Sequence, residues 1–232
     1  MVPLGGNKMT YKETIESVSI PNYTTKQEKF NTITHQLGIP VALVIFVFGL
    51  IQFVRGIISP SYFLGILVFA FTIIDVYFVS SLYHSTPLDC FNKKVFRVLD
   101  HCTIYLLIAG TYTPICVVLM TSNVIGLVML LVEWGLALVG ILLNAFLFKN
   151  KIAQIISLFL YLGMGWLILF CGGFLYMTPF SFGFVLAGGI IYSIGCLLYA
   201  IGKKNLNLHG IFHIFVLVST VVQSIGVMSL FF

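Results

Sequence analysis

Charge is what this chain most lacks. Only 8% of its 232 residues are Asp, Glu, Lys or Arg, where soluble domains carry about a quarter. With 59% hydrophobic residues and a mean hydropathy of +1.08, a soluble globular fold is excluded. No nucleic-acid partner is expected either. Cysteine pairs are also missing. The five cysteines, Cys90, Cys102, Cys116, Cys171 and Cys196, form no CxxC, and four sit in apolar runs. They read as small packing residues rather than disulfides or ligands. The first thirty residues are polar and hold no apolar leader core, so no cleaved signal peptide is expected. There is no internal repeat, and no helix shows the broad polar stripe that a channel or lytic pore would need.

What is present is apolar sequence in runs of spanning length. A membrane helix takes about 20 apolar residues, so seven use roughly 140 and leave no room for a separate soluble domain. The runs fall near 36–54, 62–84, 98–120, 124–147, 152–174, 180–201 and 209–231, separated by turn-forming Gly, Pro, Ser, Asn and Lys. The predicted class is all-α, a polytopic bundle of seven transmembrane helices. Residues 1–30 are expected as a partly disordered N-terminal tail and 31–232 as the transmembrane domain. Lys8, Lys12, Lys26, Lys29, Lys93, Lys94, Arg97, Lys149, Lys151, Lys203 and Lys204 all fall on one side of such a bundle, and Arg55 alone on the other. Positive residues mark the cytoplasmic face. The N-terminus is therefore expected inside and the C-terminus outside.

Imidazole and carboxyl groups are costly in a membrane and usually functional. All five histidines lie at helix ends. With this topology His35, His84, Asp100, His101, His209 and His213 share one depth, near the cytoplasmic surface. His209 and His213 form HxxxH, and residues i and i+4 share a helix face, so both can grip one ion. By itself HxxxH equally fits an interfacial pair. His84 and Asp100 at the same depth tilt the reading towards a metal, and imidazole-rich sites suit zinc. Ser80 sits one turn from His84 on the same face. It could bond a metal-bound water, a substrate carbonyl or its own helix backbone. Asp100 and His101 point about 100° apart, so they are not ligands of one ion. Asp100 could be a ligand, hold a water, or pair with Arg97 or Lys94. Glu28, Asn31 and His35 form one stripe, readable as a supporting network or as a plain helix start. Asp75 and Glu133 lie mid-run; protonated interior carboxyls and a polar pathway are the two readings. Gly172-Gly173 and Gly188-Gly189 are expected to allow close helix packing.

Several stretches together resemble the hemolysin III family, within the group that includes the progestin and adipoQ receptors. They are Glu28-x-x-Asn31-x-x-x-His35, Ser80-x-Leu82-Tyr83-His84-Ser85, the run from Leu99-Asp100-His101 through Tyr105 to Pro114, Tyr161 to Trp166, Gly188 to Tyr192, and His209-x-x-x-His213. The resemblance runs from Glu28 over nearly the whole chain. It implies a seven-helix protein of the cell (plasma) membrane with its N-terminus inside. It also implies zinc held by His84, His209 and His213, with Asp100 reaching the ion through water and Ser80 close by. The adiponectin-receptor branch lacks a histidine at the position of His101, which keeps that residue off the ion. Glu28, Asn31, His35, His101 and Tyr105 are placed behind the ligands. That branch is associated with hydrolysis of ceramide-like amides, and bacterial members carry a lytic name and links to membrane lipid homeostasis. Asp75 and Glu133 depart from the apolar residues expected at their positions.

The preferred expectation is a zinc-dependent hydrolase of a lipid amide or ester in the inner leaflet. Asp100 and Ser80 would be its catalytic groups, and a membrane lipid would enter sideways as substrate. Rival readings are a non-catalytic sensor with structural zinc and a lytic or channel protein. Protein partners are not indicated.

Overall fold

Local signals start most helices where they begin. In the computed structural model, which describes residues 10–202 and 205–231, Thr10 and Glu13 form a capping box that opens α1 (Tyr11–Glu16). Thr24 and Gln27 form a second box that opens α2 (Thr25–Gln36). α3 (Gly38–Val54) follows at once, bent from α2 at Leu37. The bend has a local cause: Pro40 has no N–H to give the Gln36 carbonyl. Ser59 caps α4 (Pro60–Ser85), which carries proline in its first turn, where proline is tolerated. α5 (Phe91–Leu119) and α6 (Ile125–Leu147) come next. Asn150 caps α7 (Lys151–Gly165), which is followed by α8 (Leu167–Phe170) and a 3-10 turn at Gly173–Tyr176. α9 (Pro179–Gly202) and α10 (Asn207–Met228) complete the bundle.

No strand occurs among the described residues. Among the described residues, six helical stretches are long and apolar enough to cross a membrane, the first being α2 and α3 together. The fifth span, read from sequence as one helix over 152–174, is broken at Trp166 into α7 and α8. The break has a tertiary cause. The Tyr112 hydroxyl of α5 donates to the Gly165 carbonyl at 2.9 Å and accepts from the Ile168 N–H at 3.1 Å. It stands in for backbone partners at the point where the helix steps aside.

α5 is the axis of the bundle. Its apolar stretch is 72% buried, against 17–50% for the other long spans. α4 and α6 flank it, α10 packs on α9, and α2 lies against α4 and α10. Apolar side chains such as Val44, Phe71, Leu131, Phe159 and Leu197 face outward, as a lipid-facing surface requires. Close approach sets some positions: a Cβ at Gly38 would fall inside the Tyr77 ring.

The stretch expected as a loose tail is largely built into the fold. α1 and the start of α2 occupy it, and Ile15 and Val18 are buried with Val98 and Cys102 of α5. Lys94 and Arg97, on α5, donate to the carbonyls of Glu16 and Ser19. Residues 1–9 of that stretch, with Lys8, and the loop lysines Lys203 and Lys204 lie outside the described residues.

Candidate metal centre

The last turn of α4 and the first two turns of α10 meet at the basic end of the bundle. Their meeting point is three imidazoles. His84, His209 and His213 are 2%, 8% and 2% exposed. His209 Nε2 lies 3.3 Å from His84 Nε2 and 3.0 Å from His213 Nε2, so three ring nitrogens converge. Each offers one ligand atom within 4.8 Å of the others.

The surroundings orient these rings. His84 Nδ1–H donates to Glu28 Oε2 at 2.6 Å, which leaves Nε2 as a bare lone pair turned to the other histidines. The Asn31 amide lies 3.4 Å from the same Nδ1. Glu28 is held in turn: Lys93 Nζ donates to Glu28 Oε1 at 2.7 Å, and also to the carbonyls of Tyr83 at 3.0 Å and Thr86 at 2.8 Å. Lys93 is fully buried. Its ammonium therefore closes the C-terminal end of α4, where cations are favoured, and compensates the carboxylate that orients His84. A carboxylate or other acceptor on the outer nitrogen of a metal-binding histidine is the usual arrangement.

A metal fits this donor set on geometry. Tetrahedral zinc with Zn–N near 2.0–2.1 Å places neighbouring nitrogens about 3.3 Å apart. Two of the three pairs, at 3.3 and 3.0 Å, are close to that spacing, and all three ligand atoms lie within 4.8 Å of one another. The chemistry agrees. His209 Nε2 faces two other Nε2 atoms at once, and a single N–H can satisfy one such contact, whereas a cation between the rings satisfies all three.

A sequence model of the family described as "Haemolysin-III related" matches residues 23–224. The chain is 37% identical over 197 residues to "Hemolysin-3 homolog" of Bacillus subtilis (strain 168), covering 84% of this chain and 90% of that one. It belongs to the haemolysin-III-related family. A further relative, "Hemolysin-3" of Bacillus cereus, is 35% identical over 199 residues, covering 83% and 86%. Among solved structures, a thermophilic rhodopsin is similar with a TM-score of 0.54 at 13% identity, over 92% of this chain and 95% of that one. That likeness speaks to a seven-helix fold alone.

The remaining candidate residues of this haemolysin-III-related chain divide into those brought to the triad and those held away. Glu28 and Asn31 reach His84 as described. The His35 ring stands edge-on to His213, with centroids 3.9 Å apart, and both its nitrogens are buried without a hydrogen bond. The Asp100 carboxyl faces the Ser80 hydroxyl. Ser80 Oγ is buried and makes no well-formed hydrogen bond, so it is not tied to its own helix; the neighbouring Ser81 is, donating to the Tyr77 carbonyl at 2.7 Å. No ion pair joins Asp100 to Arg97 or Lys94 among the described residues. His101 turns away from the triad. Its Nδ1–H donates to the Arg97 carbonyl at 2.9 Å and its Nε2 accepts from the Tyr199 hydroxyl at 3.0 Å. Tyr105 is fully buried further into the bundle, against Tyr161, with ring centroids 4.3 Å apart.

Two residues of the site escaped sequence reasoning. Lys93 counted only as a topology charge; nothing local distinguishes it from Lys94. Tyr23, in the stretch expected as a tail, covers the triad. Its ring stacks on His209 at 5.2 Å and meets His84 edge-on at 5.7 Å. Burial pushes its phenol above the usual range, so it is a neutral hydroxyl there.

Proposed function

We propose that this haemolysin-III-related protein is a zinc-dependent hydrolase of a lipid amide or ester, working at the cytoplasmic leaflet of the plasma membrane. The observation that carries the reading is the convergence of three buried imidazole nitrogens within 4.8 Å of one another, with a carboxylate behind one of them. His84, His209 and His213 would hold the ion. Three protein ligands with a fourth position open is the pattern of catalytic zinc. Bound there, zinc supplies a Lewis acid and a water acidified to near neutral pH.

The chain's own groups would do the rest. Glu28, fixed by Lys93, keeps the proton of His84 on Nδ1. Asp100 takes the proton of the attacking water and returns it to the leaving amine or alcohol as the acyl bond breaks. The hydroxyl of Ser80, which faces Asp100, orients that water or the scissile carbonyl. The basic end faces the cytoplasm by the positive-inside rule. Apolar outer faces on nearly every helix let an acyl chain reach the bundle from the bilayer.

Metal content of the detergent-purified protein beside His213→Ala comes first. About one zinc per chain, lost in the variant, is expected; a folded wild type without metal removes the reading. Lipid hydrolysis is then compared with Asp100→Ala. Loss of turnover with zinc retained is expected, and unchanged turnover removes the role of Asp100.

The deep burial of the triad beneath Tyr23 favours a second reading, a sensor whose zinc ties α4 to α10. It expects no substrate turnover by the wild type and a fall in thermal stability when a ligand is removed.

A further inference from the structure

A cleft of about 370 Å³ separates α2 from α10 at the basic end of the bundle. Small-molecule sites span about 300–1,000 Å³. Lys26, Phe30 and Ile211 line the cleft and are exposed, while Asn31 and Gly210 line it and are buried. Both helices start at this end and run side by side. Gln27 Nε2 donates to Asn207 Oδ1 at 2.8 Å across the mouth. About a turn further in, a Cβ on Gly210 would come within 3.0 Å of the Phe30 ring and 3.1 Å of Asn31 Oδ1. Glycine at 210 leaves that space unfilled.

The walls change character along their length. Lys26, Phe30, Ile33 and Leu37 follow i, i+4, i+7, i+11, one helix stripe with a cation at its head. Ile211, Ile214 and Val218 follow i, i+3, i+7 on α10. The six apolar side chains of these stripes are 40–55% exposed, so two apolar ridges run from the cleft towards the bilayer. The charge at the mouth has one sign. Lys26 is in no ion pair among the described residues, and no acidic residue lines the cleft. Glu28, close by in sequence, is engaged with His84 and Lys93 instead.

We propose that this cleft binds one anionic phospholipid of the cytoplasmic leaflet, with its phosphate on Lys26 and an acyl chain between the two ridges. Lysine binds phosphate as a point charge, and the side-chain amides of Gln27 and Asn207 lie at the mouth for glycerol and headgroup oxygens. A zwitterionic lipid would bring an ammonium group for which the lining holds no carboxylate. Asn31, in the cleft wall, has its amide 3.4 Å from His84 Nδ1, so the lipid would lie one side chain from the histidines. The binding site stands whether or not a lipid is turned over there.

Native mass spectrometry of the full chain in detergent, titrated with dioleoylphosphatidylglycerol, tests this. The wild type should hold one such lipid tightly. Lys26→Glu should bind it at least about fivefold more weakly, the effect of one cation at a membrane surface. Ile211→Trp, which fills the groove at an exposed position, should weaken it too, so the result does not rest on charge alone. Lys151→Gln, at the start of α7 and outside the cleft, should bind as the wild type does. Dioleoylphosphatidylcholine should bind more weakly, and glycerol 3-phosphate, which carries the phosphate without chains, should not displace the bound lipid. Equal binding of the two lipids overturns the proposal. So does a Lys26→Glu protein that binds no more weakly than Lys151→Gln, or displacement of the lipid by glycerol 3-phosphate.

Discussion

Buried polar groups behave differently at the two ends of this bundle. At the basic end they meet across elements far apart in sequence: Glu28 of α2 joins His84 of α4 and Lys93 of α5, and His84 joins His209 of α10. Deeper in and towards the other end, hydroxyls mostly turn back on their own helix. Thr111 donates to the Leu107 carbonyl, Thr113 to Ala109 and Ser224 to Thr220. These back-bonds satisfy a hydroxyl cheaply and fix nothing between helices. The contrast separates polarity that is merely tolerated in a membrane from polarity built to hold a geometry. Tyr112, Ser181 with Ser229, and Ser219 are among the exceptions, each bonding to another element.

Removing Lys93 should break the contrast most. Lys93→Met leaves Glu28 without its countercharge, and removing one partner of a buried pair costs about 3–5 kcal/mol. His84 then loses a fixed acceptor, and the loss of such a supporting group lowers metal affinity about 10–100-fold. Thermal unfolding and zinc titration should show both effects; unchanged zinc affinity would detach Lys93 from the site. Tyr112→Phe tests the far end. It removes two hydrogen bonds, worth about 1 kcal/mol each. The protein should be less stable by about 2 kcal/mol, with zinc content unchanged. The smallest effect is expected from Ser81→Ala. Its hydroxyl only returns to the Tyr77 carbonyl, so stability should move by less than about 0.5 kcal/mol and metal content not at all. A large loss of zinc there would show that the basic-end network extends further than its bonds.

Much of this was readable from residues alone, for definite reasons. Span limits followed from apolar runs separated by turn-forming residues, and in two of those breaks Ser59 and Asn150 cap helices in the structure. His209 and His213 share a face because i, i+4 spacing requires it, and one positive-charge count put His84 at their depth. The stripe of Glu28, Asn31 and His35 was visible as a period, and the same geometry turns it towards α4 and α10. Other features depend on tertiary partners that no local pattern encodes. The apolar run of the fifth span contains no proline, and its break arises from a hydroxyl fifty residues earlier. Lys93 is buried because the turn at 86–90 folds its helix start under the end of α4, which composition cannot reveal. Tyr23 looked like part of a polar tail, since its anchor is a set of backbone carbonyls taken by Lys94 and Arg97.

The histidine triad joins residues 125 positions apart. The second span brings one imidazole into the bilayer early in synthesis, and the other two arrive with α10, more than a hundred residues later. Until then His84 has its Glu28 support and no companions. A chain stopped before α10 would therefore expose a single imidazole where the finished protein presents three. The cluster thus forms only when α10 has joined α4, which makes its three-nitrogen geometry a natural checkpoint in assembling these spans.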